Sequence, residues 1–241
     1  MTPEAILWLL AQWAIRATAL AAAAGAVLWI LKIKDASVQL AAWTAVLVGI
    51  LLIPLAGFVA PPIPIPVPTL RAGDVPAQQM VIPGSTVDQM SPDLPNPATP
   101  PASDPRATAT LRWQILLAGL WAVVAAAMLS RLLIALSLSY RLSQAIQPIQ
   151  PGVAESPAVT VPVTLGLVRP VIVLPSGWRG WEPWKLQAVL AHERAHVERR
   201  DPLCQAASSV YRSLCWFHPL AWWLHRHLAE LAEAASDDAA F

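Results

Sequence analysis

Three long runs of apolar residues decide what this chain can fold into. Ala5 to Leu31, Val38 to Ala60 and Leu111 to Leu138 are built almost wholly from Ala, Leu, Ile, Val and Trp. Each is long enough for a helix to cross a hydrocarbon layer, which takes about 20 residues. Only 13% of the 241 residues are charged and the mean hydropathy is +0.51, so a soluble domain with buried core helices does not account for these runs. The first run is not a cleaved leader, because Met1 to Glu4 carries no Lys or Arg and the apolar stretch exceeds a leader's usual length. Arg16 interrupts it, and a cation at that depth is expected to face the interior of a helix bundle.

The first two runs are joined by the short basic turn Lys32-Ile-Lys34-Asp35 and form a hairpin over residues 1–60. The basic turn places its tip in the cytoplasm and the N-terminus outside. Residues 61–110 change character: Pro61, Pro62, Pro64, Pro66 and Pro68 open a segment without periodicity, expected to be an extended extracytoplasmic loop. A third span over 111–139 then carries residues 140–241 into the cytoplasm. The net charge of +1, with no basic stripe, argues against direct nucleic-acid binding. Cys204 and Cys215 fall eleven residues apart in one helical stretch, about 16 Å along its axis, too far for a disulfide there. They read as reduced thiols without a metal role.

In the last hundred residues the pattern turns to mixed structure. Gln144 to Pro157 reads as a polar connector with three prolines. Val159 to Pro175 is rich in β-branched residues broken by Gly166 and Pro170, and predicts a short β-hairpin or two edge strands, which either hold an extended substrate near the site or form a small sheet that only roofs the helices. A helix begins at Glu182-Pro183 and ends near Arg200-Asp201-Pro202, with Leu186, Val189, Leu190 and Val197 as its core stripe. Leu203 to Phe217 predicts another helix. From Pro219 a final helix follows, with Leu220, Trp223, Leu224, Leu228 and Leu231 on one side and Arg226, Glu230, Glu233 and Asp237 on the other.

The first of these helices carries His192-Glu-Arg-Ala-His196. Four residues apart on a helix, the two imidazoles project from one face, as two ligands of a tetrahedral zinc require. Glu193 stands beside them as the general base for a water, the division of labour in H-E-x-x-H metallopeptidases. Glu230 and Glu233 compete for the third ligand position, and their place on the helix does not separate them. Asp237 does, because it follows Glu233 by one turn, where it can accept from the free ring N–H of a ligand histidine. The same Glu-x-x-x-Asp pairing occurs in thermolysin-like enzymes, so Glu233 is assigned as ligand and Asp237 as its supporting carboxylate. His218, just before Pro219, has two readings, a transition-state contact or a structural hydrogen bond. His225 and His227 read as surface or interfacial, and Arg199, Arg200 and Asp201 have two readings, a solvated helix end with a local ion pair or a catalytic role.

Four stretches, Gly166-Leu-Val-Arg-Pro-Val-Ile-Val-Leu-Pro175, His192 to Asp201, Phe217-His-Pro219 and Glu233-Ala-Ala-Ser-Asp237, together resemble the BlaR/MecR-type membrane metallopeptidases, an antirepressor family. The resemblance covers nearly all of the chain apart from the proline-rich loop. It implies a mainly α membrane protein: three transmembrane helices followed by a mostly helical, zincin-like α+β metallopeptidase domain with a small β-hairpin or sheet. It also implies one Zn2+ per chain on His192, His196 and Glu233, at the inner membrane of a bacterium. The implied activity is endoproteolysis of a cytoplasmic regulatory protein such as a transcriptional repressor. The alternative is a non-catalytic or inactive zinc-binding regulatory membrane protein. Ser236 stands where many relatives have Cys, a small-for-small change. The chain stops at Phe241 without a fourth span or a sensor domain, so it is expected to be a C-terminally truncated fragment, or a short form signalled through a second copy or a sensor partner.

Overall fold

The computed structural model describes residues 2–59 and 105–240, so the proline-rich loop expected over 61–110 lies almost wholly outside the described residues. Three helices are long and apolar enough to cross a membrane: α1 (Pro3–Ile30), α2 (Ala36–Val59) and α3 (Pro105–Gln144). Thr2 caps α1, its hydroxyl accepting from the Ala5 amide at 3.3 Å, and Pro3 takes a first-turn position where its missing N–H costs nothing. Asp35 caps α2 in the same way, its carboxylate accepting from Ser37 and Val38. α1 buries Leu10, Trp13, Ala14, Ala17 and Ala21 at helical spacing, and the small alanines let α2 approach closely. The Trp13 indole donates to the Ile50 carbonyl at 2.8 Å across the hairpin. Arg16 corrects the expectation of a bundle contact. It lies on the exposed side of α1, because the buried stripe runs through Ala14, Ala17 and Ala21.

A four-stranded sheet follows α3, with β1 (Gln147–Gln150), β2 (Val153–Ser156), β3 (Val163–Leu165) and β4 (Val171–Pro175) in the order β1-β2-β4-β3. β3 and β4 pair antiparallel as the expected hairpin. Gly166 turns between them at φ +95°, and a Cβ there would stand 2.9 Å from the Arg169 carbonyl oxygen, so only glycine fits. The polar connector read over Gln144 to Pro157 is corrected: it contains β1 and β2, and β2 lies inside the sheet, parallel to β4.

Three helices complete the chain: α4 (Pro183–Arg199), α5 (Asp201–Leu214) and α6 (Pro219–Ala240). α4 packs Leu186, Val189, Leu190 and Val197 on Val153, Ile172 and Leu174 of the sheet. It ends at Arg200, which adopts the left-handed conformation at φ 58° and sends the chain straight into α5. α5 therefore starts at Asp201 rather than Leu203, with Pro202 in its first turn, and stops at Leu214 rather than Phe217. α5 and α6 share one apolar core with α1 and α2, in which Tyr211, Leu224 and Leu228 meet Trp13, Trp43 and Leu47. Both cysteines are free thiols: Cys215 is buried and Cys204 half-buried against the Thr44 hydroxyl at 3.5 Å.

Candidate metal centre

The cluster is assembled from α4 and α6, with α5 and β3 at its edges. One turn apart on α4, the rings of His192 and His196 bring their Nε2 atoms to 3.2 Å. Glu233 of α6 faces both, with carboxylate oxygens 3.6 Å from His192 Nε2 and 3.8 Å from His196 Nε2. Three donor atoms bound at about 2.0–2.1 Å on a tetrahedral zinc would be separated by roughly 3.4 Å. The two Glu233 contacts are made by different oxygens. One donor atom from each of the three side chains lies within 4.8 Å of the other two, wider than that spacing, and two imidazoles with a carboxylate are a donor set that fits a zinc ion. Among the described residues, this is the only group of three or more His, Cys, Asp or Glu side chains that converges closely enough to hold a metal. Glu230 does not join it; its carboxylate lies 3.8 Å from His227 instead.

A carboxylate holds the far side of each imidazole. His192 Nδ1 lies 3.0 Å from an Asp237 oxygen and His196 Nδ1 lies 2.7 Å from Asp201. The hydrogen bond from His196 Nδ1 to Asp201 fixes the tautomer that leaves its Nε2 free as a ligand atom, and the Asp237 carboxylate beside His192 Nδ1 favours the same tautomer there. The Asp201 bond raises the His196 pKa above the ordinary imidazole value, against a lowering from burial, with further help from the charges of Asp201, Glu233 and Glu193. Asp201 corrects the reading of a solvated helix end. Its side chain is 8% exposed, and the left-handed turn at Arg200 folds it back beneath His196.

Arg199 closes the corner. It donates to Asp201 at 2.8 Å and, across to α6, to the Ala232 carbonyl at 3.1 Å and to the Ser236 hydroxyl. One guanidinium thus ties the histidine helix to the glutamate helix. Glu193 projects into a cleft of about 490 Å³ lined by Pro162, Val163, Thr164, Gln205 and the three ligand candidates. There the Thr164 hydroxyl of β3 donates to a Glu193 oxygen at 2.7 Å. β3 is the sheet's outer strand on this side, so its free edge borders the cleft.

The fold brings His192, Glu193, His196, Glu233 and Asp237 together and leaves His218 elsewhere. His218 precedes α6 by one residue and lies fifteen before Glu233, about 22 Å along the helix, where its Nε2 meets the Thr18 hydroxyl of α1 at 3.2 Å. Its contact is structural, and the transition-state reading is withdrawn. His225 and His227 are interfacial: His225 bonds Ser208 at 2.8 Å and His227 stacks on Trp223. Sequence reasoning missed Thr164 and the role of Asp201. For Asp201 the available signal was a carboxylate opening the next helix five residues after a ligand histidine.

A family model described as BlaR1 peptidase M56 matches residues 12–241. Among curated proteins, the chain is similar to the regulatory protein BlaR1 of Bacillus licheniformis, 31% identical over 84 residues. That match covers 35% of this chain and 14% of the relative.

Proposed function

The chain belongs to the BlaR1 peptidase M56 family, and from that premise we propose that it is a membrane-tethered zinc endopeptidase that cleaves a cytoplasmic, repressor-like regulatory protein. The observation that carries the reading is the convergence of His192, His196 and Glu233, with each imidazole held from behind by its own carboxylate. The basic turn at Lys32 and Lys34 supports a cytoplasmic position for the site, at the inner membrane of a bacterium.

Zinc bound there would supply Lewis-acid chemistry, bringing a water's pKa towards neutrality and polarising a peptide carbonyl. The protein's own part falls to Glu193 and its surroundings. The Glu193 carboxylate accepts the proton of the attacking water and returns it to the leaving amine. Thr164 holds that carboxylate in the cleft at 2.7 Å through a single oxygen, leaving the other free to receive the proton. The edge of β3 offers backbone partners to an extended substrate, whose scissile bond then lies across the cleft.

The test is Glu193→Gln in the purified chain, with zinc content and cleavage of a neighbouring-gene repressor measured together. One zinc per chain is expected in both forms, with cleavage lowered by about 10²–10⁴-fold in the variant. Retained cleavage would remove Glu193 from its role. Zinc binding by the unaltered chain with no cleavage of any candidate would leave the non-catalytic regulatory reading.

A further inference from the structure

We propose that α5 and α6 form a re-entrant hairpin whose aromatic tip sits among the acyl chains of the bilayer, so that the metal cluster lies at the membrane surface. The placement rests on reading α1, α2 and α3 as membrane spans, and not on peptidase activity.

Contacts with the α1–α2 hairpin act as depth marks. Measured from the turn between them at 1.5 Å per residue, Thr44 lies about 12 Å into α2 and Trp13 about 26 Å into α1. Cys204, early in α5, touches Thr44, and Tyr211, late in α5, packs on the Trp13 ring at 5.7 Å. α5 thus climbs away from the turn. α6 descends again: His218 bonds Thr18 at about 18 Å of depth, while Trp223 and His227 pack on Trp43 at about 11 Å. On the other side the Trp121 indole of α3 donates to the Leu214 carbonyl at 2.8 Å. A hydrocarbon layer is about 30 Å thick, so the connection from α5 to α6 reaches its middle. Glu233, six residues beyond His227 and about 9 Å further down, comes level with the turn itself.

The chemistry of the hairpin agrees with its depth. Its tip exposes Phe217, Trp222 and Trp223 at 42%, 39% and 40%, and α1 and α3 likewise expose large apolar side chains such as Ile15 and Leu120. Its hydroxyls point inward: Ser208 and Ser213 are each 1% exposed and donate to the Gln205 and Ser209 carbonyls. Aromatic groups outside and hydroxyls turned inward suit hydrocarbon as the surrounding solvent. Tyr211 Oη, Arg212 Nε, Trp216 Nε1 and His218 Nδ1 are buried in the hairpin without a hydrogen-bond partner among the described residues. Arg212 lays its guanidinium over the Trp222 ring at 5.1 Å, and Arg226, exposed near the level of Trp43, can extend its stem towards the surface. A substrate must therefore bring its scissile bond to the membrane surface, in a segment lying along it.

The test uses the full chain in phosphatidylcholine–phosphatidylglycerol vesicles, photolysed with a hydrocarbon-soluble diazirine. A parallel sample is exposed to hydroxyl radicals generated in the water. Adducts are mapped by peptide mass spectrometry. Carbene adducts at Phe217, Trp222 and Trp223, at the level seen on Leu117 and Leu120 of α3, are expected, with radical oxidation confined to water-facing side chains such as Trp184 of α4. Oxidation of the three aromatics from the water, with α3 still carbene-labelled, overturns the re-entrant placement alone. Protection of the tip from both reagents would assign it to a protein partner, such as a second copy, and overturn the lipid contact. Failure of α1 and α3 themselves to take the carbene would remove the membrane reading beneath it.

Discussion

His192 and His196 sit one turn apart on the same helix, yet the two carboxylates that hold them occupy opposite surroundings. Asp201 is 8% exposed and is shared between His196 and Arg199. Asp237 is 66% exposed, on the outer side of α6, and has no other charged partner among the described residues. The inner half of the cluster is therefore part of the fold, joining α4, α5 and α6 through one ion pair. The outer half belongs to the metal site alone. A carboxylate in the same chemical role costs or contributes differently according to what else it satisfies.

Asp201→Ala is expected to give the largest effect. It removes two charge-assisted bonds and leaves the Arg199 guanidinium without its carboxylate, held by the Ala232 and Ser236 oxygens, a loss of about 3 kcal/mol in stability. It also frees the His196 ring, lowering zinc affinity by about 10–100-fold. Thermal unfolding and zinc titration in detergent check both; an unchanged Tm would erase the contrast between the halves. Arg199→Ala comes next, with about 2 kcal/mol lost as the bonds to Ala232 and Ser236 of α6 go, and a smaller fall in zinc affinity because Asp201 still faces His196. Arg199→Lys should recover only part of this, since an ammonium cannot reach three acceptors with the geometry of a planar fork. Asp237→Ala should lower zinc affinity about tenfold while leaving stability within about 0.5 kcal/mol. A large drop in Tm for that variant would show that the outer half, too, is structural.

The same contrast explains what the sequence discloses. The spans are legible because apolar length is a local property, and α4 is legible because Leu186, Val189, Leu190 and Val197 repeat at its period. His192, Glu193 and His196 follow from spacing on one helix, and Glu233 and Asp237 from spacing on another. Asp201 is different: its role depends on a backbone reversal at Arg200, a non-glycine residue in the left-handed region that no local pattern announces. β2 is hidden for a related reason. Val153-Ala-Glu-Ser156 has no alternation, and it becomes a strand by pairing in parallel with β4, almost twenty residues away. What depends on meetings between distant segments is what spacing alone does not show.

Thr164 belongs to neither half and gives the smallest expected effect. Its hydroxyl gives the one side-chain hydrogen bond that the described residues offer to the Glu193 carboxylate, from a strand that the chain leaves by a glycine-dependent turn. Thr164→Val keeps the side chain's shape and the β-branched strand preference, so β3 should persist and zinc should bind as before. What is lost is a hydrogen bond to a charged group, worth about 1 kcal/mol, which corresponds to about a fivefold fall in kcat. KM should stay unchanged, because the backbone edge that meets the substrate is untouched. Thr164→Ser restores the hydroxyl and should restore kcat. A fall in zinc affinity instead would mean that β3 helps to shape the ligand cluster itself, and the separation between the metal site and the groups that work around it would have to be redrawn.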